Sequence, residues 1–192
     1  MRHRFTHPFT LAAAALALLA ALPAFALSLD DLAHQLAAEG DVSGRFEQRR
    51  YLADLDTHIE GHGRYRFEQG ERVVWQLEAP VEETMTLSDE GISRNGAPIE
   101  DDPAGVATLI MQLLSGRLSA LENRFDIALS GSETQWAADL VPRRQALAEY
   151  LESIAMRGGE RLERVTLHMA DGDRLDIRLR AGDPALAGAS GR

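Results

Sequence analysis

The 192-residue sequence has no cysteine and no lysine; all 20 of its basic residues are arginine. Without cysteine there is no disulfide framework, thiolate metal site, thiol nucleophile or lipid-modified thiol. The formal charge of −10 excludes the basic stripe that a nucleic-acid surface needs to displace counterions. Aromatic residues are scarce at 6%, so where each one falls is informative. The apolar run from Leu11 to Leu22 is only a dozen residues long and is broken by Pro23. It falls short of the ~20 residues that span a bilayer.

That run does have a pattern. Arg2, His3 and Arg4 precede it, and Ala24-Phe25-Ala26 follows the proline. A basic start, a short apolar stretch and an A-x-A site make a secretory signal peptide, with cleavage expected after Ala26. Cleavage removes two arginines and no acid, so the exported chain is more acidic still. A bacterial periplasm is the natural compartment. The expected organisation is a signal peptide over residues 1–26, one domain over 27–180, and a disordered glycine- and alanine-rich tail over 181–192.

The domain opens with a helix. Ser28 is placed as N-cap with Asp31 in the capping-box position. Leu29, Leu32, Ala33 and Leu36 then recur at helical spacing, and Gly40 ends the element. From Val42 the period becomes 2. Gly44, Phe46 and Gln48 share one face; Ile59, Gly61, Gly63, Tyr65 and Phe67 share another. Val73, Trp75 and Leu77 follow, then Met85 and Leu87, with turns expected at Gln69-Gly70 and Asn95-Gly96. Later strands carry Phe125, Ile127 and Leu129 up to a turn at Ser130-Gly131-Ser132. Trp136, Ala138 and Leu140 come next, then Ile154 and Met156. Val165, Leu167 and Met169 face Leu175, Ile177 and Leu179 across Asp171-Gly172.

Between the two sets of strands lies an unusual helix. Asp102-Pro103 caps it, and from Ala104 to Leu114 only Thr108 and Gln112 are polar. A surface helix should show a polar half. This one needs apolar contacts on two sides and is expected to act as a lid, using Val106, Leu109, Ile110 and Leu113. The fold expected is α+β: an open, strongly curved antiparallel β-barrel of about ten strands, covered by a helical lid.

Candidate chemistry is sparse. His58, Glu60 and His62 share a strand face, but the outer two lie ~13 Å apart there, against zinc bonds of ~2 Å. They read as a solvated polar face, so no metal and no cofactor is expected. No nucleophile elbow, P-loop or dinucleotide fingerprint occurs. Asp171-Gly172-Asp173 is too short for a calcium loop. His168, between Leu167 and Met169, reads as a surface histidine. No catalytic residue is assigned, and an enzyme is not expected.

Several of these segments, taken in order, resemble a known family. Gly44-Arg45-Phe46-Glu47-Gln48, Gly61-x-Gly63-x-Tyr65-x-Phe67, Val73-x-Trp75 and Glu78-Ala79-Pro80 are similar to the strand core of the LolA-like periplasmic lipoprotein carriers. Phe125-x-Ile127-x-Leu129 and Trp136-x-x-x-Leu140-x-Pro142 continue the likeness, which covers about Leu29 to Leu179. The resemblance implies a hydrophobic cavity under a helical lid. That cavity would hold acyl chains of lipoproteins, or of another lipid-linked cargo. It also implies an inner-membrane export complex as donor, an outer-membrane acceptor, and a monomer. The acyl site would then be lined by Phe46, Ile59, Tyr65, Phe67, Trp75, Leu77, Met85, Leu87, Phe125, Ile127, Trp136, Leu140, Ile154 and Met156, besides the lid residues. The family carries an arginine in the turn before the tryptophan. The matching position here is Gln69, with Arg72 nearest. A lipid-sensing or regulatory adaptor on the same fold is the alternative function.

Overall fold

The computed structural model describes residues 27–38, 40–68, 72–88, 91–99, 109, 112 and 118–182. The expected signal peptide, the Gln69-Gly70 turn and nearly all of the expected tail lie outside the described residues, as do Val106, Ile110 and Leu113.

Helix α1 spans Leu29–Ala37. Its capping box forms as expected: the Asp31 amide donates to Ser28 Oγ (3.1 Å) and the Ser28 amide donates to Asp31 Oδ2 (3.2 Å). These bonds satisfy two of the donors orphaned at a helix start. Gly40, at φ +65°, then turns the chain out of the helix.

Eleven strands follow and form one antiparallel sheet. They are β1 (Val42–Leu52), β2 (Thr57–Glu68), β3 (Arg72–Ala79), β4 (Glu83–Ser88), β5 (Gly91–Arg94) and β6 (Ala97–Pro98), then β7 (Phe125–Ser132), β8 (Gln135–Pro142), β9 (Leu151–Gly158), β10 (Leu162–Met169) and β11 (Arg174–Ala181). The sheet order is β6-β5-β4-β3-β2-β1-β11-β10-β9-β8-β7. Two hairpin meanders, one from each half of the chain, are thus joined at the centre by β1 against β11. The sheet does not close, because β6 and β7 are its two edges. The β6 edge is two residues long and ends in Pro98, features that discourage pairing with another strand.

Two local expectations need correction. Ser130-Gly131-Ser132 is not a turn: β7 continues through it, paired to Trp136 and Gln135, and the chain reverses at residues 133–134. Small residues there suggested a loop, but the ladder hydrogen bonds of β8 hold them in register. The region after Ser88 also holds more strand than expected. Asn95, at φ +51°, and Gly96, at φ +81°, make the hairpin turn, and they join β5 to β6.

The remaining chain joins the two edges. It leaves β6 at one edge of the sheet and enters β7 at the other. Of the connecting residues, Leu109 is helical, 0% exposed and part of the core cluster.

Candidate functional site

Register places the alternating apolar residues on one inner face. Phe46 pairs with Gly63 and Leu179, Tyr65 with Trp75, Trp75 with Met85, and Leu87 with Ile92. In the other meander Ile127 pairs with Leu140, Leu140 with Ile154, and Met156 with Val165. All of the expected acyl-site residues within the described residues therefore share this face.

The two meanders cover it differently. On the C-terminal side Phe125, Trp136, Leu140, Ile154, Met156, Val165, Leu167 and Ile177 are buried, while Ile127 and Leu129 are half-buried. Leu32 of α1 joins them, together with Leu118 and Leu121 from the turn before β7 and Leu147 from the short helix before β9. Gln35 fixes α1 over this end: its side-chain NH2 faces the carbonyls of Gly159 (2.7 Å), Glu133 (3.0 Å) and Glu160 (3.1 Å). Trp136 Nε1 donates to the same Gly159 carbonyl at 2.8 Å, which satisfies the polar end of a buried ring.

On the N-terminal side Phe46, Tyr65, Val73 and Ile92 are buried, but Phe67, Trp75, Leu77, Met85 and Leu87 are only half-buried. The aromatics form a stack. Phe46 and Trp75 have ring centroids 3.7 Å apart, and Tyr65 lies 4.7 Å from Phe67 and 6.2 Å from Trp75. Ile59 keeps the inward register but is 43% exposed, because it sits near the β1–β2 tip, beyond the cover the other residues share.

Glycine makes the stack geometrically feasible. A Cβ at Gly63 would lie 2.8 Å from the Phe46 ring and 1.9 Å from the Gln76 carbonyl oxygen. Gly158 plays the same part for Trp136, whose ring would lie 2.7 Å from an added Cβ. The inward glycines thus serve close approach of a facing ring.

Among the described residues, no polar or charged side chain is buried. Perturbed acids sit instead at caps, turns and the outer face. Asp173 is held below the usual carboxylate range, first by the Ala53 amide and then by Arg50. Arg64, through its hydrogen bond, and then Arg45 lower Glu78 in the same direction. His58 of the polar strand face packs its ring on Tyr51, at 4.9 Å. Arg72 clasps Glu68 with two bonds, Nε to Oε2 at 2.6 Å and a terminal nitrogen to Oε1 at 3.2 Å. What the inner face offers is water exclusion and shape.

Sequence reasoning placed Val73 on the alternating face with Trp75 but not in the acyl site, and it named Ile92 in neither. Ile92 gave no usable signal, since β5 is only four residues long.

Residues 20–188 match the family model described as outer membrane lipoprotein carrier protein LolA-like. The chain belongs to this LolA-like family. Its fold is similar to that of a LolA superfamily protein from Nitrosomonas europaea, at 7% identity and a TM-score of 0.45, covering 80% of this chain and 92% of that one. It is also similar to a structure of the Pseudomonas aeruginosa MucA/MucB complex, at 12% identity and a TM-score of 0.39, covering 81% of this chain but 56% of that one. These likenesses in shape are loose, and membership rests on the sequence match. No curated protein matches the chain.

Proposed function

We propose that this LolA-like protein is a periplasmic carrier that binds acyl chains of lipoproteins, or of a related lipid-linked cargo, and shuttles them from the inner to the outer membrane. The observation that carries the reading is the half-covered strip of Phe67, Trp75, Leu77, Met85 and Leu87 on the inner face. Such a strip accepts more apolar contact than the protein itself supplies. The segment bearing Leu109, which is buried in the core cluster, serves as the lid. Family membership favours binding over catalysis, and an export complex and an outer-membrane acceptor follow as partners of a monomeric carrier.

Energetics constrain how it works. Burying one methylene contributes ~0.8 kcal/mol, so a 16-carbon chain gains on the order of 12 kcal/mol gross. Three chains would exceed the ceiling of ~20 kcal/mol seen for any complex. A carrier must release its cargo, so part of that gain has to be offset. Displacing Leu109, which is fully buried in the core cluster, would do so.

The test is mass spectrometry of lipids extracted from the protein purified from its native periplasm. Acyl-bearing species are expected with the unaltered chain. Met85→Glu, at a half-covered position, should lower their yield while secretion and strand content persist; Leu109→Glu should do the same if the fold survives. An unaltered protein that carries no acyl species, or a Met85→Glu variant that carries as much, would remove the carrier reading.

A further inference from the structure

The outer face of the sheet holds a feature that acyl binding does not use. Arg164 on β10 lies directly opposite Arg157 on β9 and Arg178 on β11, so three arginines stand in one row across three strands. All three are exposed. Like charges directly opposite each other destabilise a sheet. A protein with a net charge of −10 has ample carboxylates to neutralise such a row.

The neighbouring row shows neutralisation in practice. Arg180, Arg45 and Arg64 also stand in register on β11, β1 and β2. Arg180 pairs with Glu47 at 3.3 Å, Arg45 pairs with Glu78 at 3.4 Å, and Arg64 also pairs with Glu78. Among the described residues, the row of Arg157, Arg164 and Arg178 has no such pairing. Glu47 lies opposite Arg178, but its carboxylate goes to Arg180. Asp176, two residues from Arg178, accepts from Thr166 and Arg174.

We propose that this uncompensated row is a docking strip for an acidic helix on a partner protein. Guanidinium groups recognise carboxylates through paired, charge-assisted hydrogen bonds. Adjacent strands lie ~4.8 Å apart, and side chains that carboxylates would meet on an extended partner strand recur at ~6.7 Å. On a helix, residues at i and i+4 or i+3 stand ~5–6 Å apart, the closer match to the row. An anionic membrane is the weaker fit, because basic clusters that bind one hold roughly 4–8 residues. The acidic remainder of the chain also repels such a surface.

The probe is a synthetic alanine-based helical peptide with glutamates at i, i+4 and i+7, titrated into the purified full chain at low salt. A second peptide has glutamine at the same positions. Phosphatidylglycerol and phosphatidylcholine vesicles complete the set. The glutamate peptide should bind and the glutamine peptide should not. Arg164→Gln should weaken binding by about tenfold or more, and should leave the melting temperature unchanged or raised. Arg45→Gln, in the neutralised row, should leave affinity unchanged. Co-purifying lipid should be the same in Arg164→Gln as in the unaltered protein, which separates this strip from the acyl site. Equal binding of both peptides, full affinity in Arg164→Gln, or an equal loss in Arg45→Gln would overturn the strip. So would a fall in melting temperature in Arg164→Gln, which would make the row structural. Binding to phosphatidylglycerol vesicles alone would assign it to the membrane instead.

Discussion

The two meanders of this sheet have the same alternating pattern but end in different states. The C-terminal one is capped by α1 and by the turns before β7 and β9, and most of its inner side chains are buried, with Ile127, Leu129, Leu162, Met169 and Leu175 half-buried. The N-terminal one carries more of the aromatic surface, yet five of its inner residues stay half-covered. Burial in the first serves stability. In the second, incomplete cover leaves the surface that the proposed cargo would occupy. Apolar alternation thus marks a face without saying what will occupy it.

The sharpest way to break this comparison is to truncate one residue on each side. Ile154→Ala, in the packed meander, should cost ~2–5 kcal/mol in urea denaturation. Met85→Ala should cost much less, because its site is already partly open. Equal costs would mean that the two halves are one uniform core. Next in size is Gly63→Ala, which forces the Phe46 ring and the Gln76 carbonyl apart. A loss of about 1–3 kcal/mol is expected, with altered near-ultraviolet signal from the Trp75 stack; a neutral substitution would show that the stack is loosely held.

Smaller again is Gln35→Ala, which frees α1 from the β7–β8 and β9–β10 turns. It should cost ~1 kcal/mol and raise amide exchange in α1 before any effect reaches β3 or β4. Exchange rising first in the N-terminal meander would contradict the division of the sheet. The smallest effect is electrostatic. The Asp173 carboxyl is held low by the Ala53 amide and Arg50, so its contribution is complete at neutral pH. It is lost as pH falls through the ordinary aspartate range and below. Asp173→Asn should flatten the acid limb of the stability curve; an unchanged limb would show that this link between the β1–β2 and β10–β11 ends has no energetic weight.

Much of the fold is legible in the residues. The switch from helical spacing after Gly40 to strict alternation, the Ser28–Asp31 box and the Asn95-Gly96 turn all encode local geometry, and each appears where the pattern puts it. Ser130-Gly131-Ser132 misleads because small residues suit both turns and strands, and only the pairing with β8 settles the matter. Ile92 and the short strands around it escape notice because four residues are too few to establish a period. For the site, the sequence identifies the inward residues but not their cover. The half-burial of Trp75 and the 43% exposure of Ile59 depend on distant segments.

The sequence by itself determined which residues are apolar, with what period, and most of the places where the chain turns, because those are consequences of side-chain chemistry over a few neighbours. Only the tertiary structure decided that β1 pairs with β11, that β6 and β7 lie at opposite edges of the sheet, and that three arginines stand abreast on the outer face. Those outcomes follow from hydrogen-bond ladders between strands far apart in the chain, and local periodicity carries no record of such pairing.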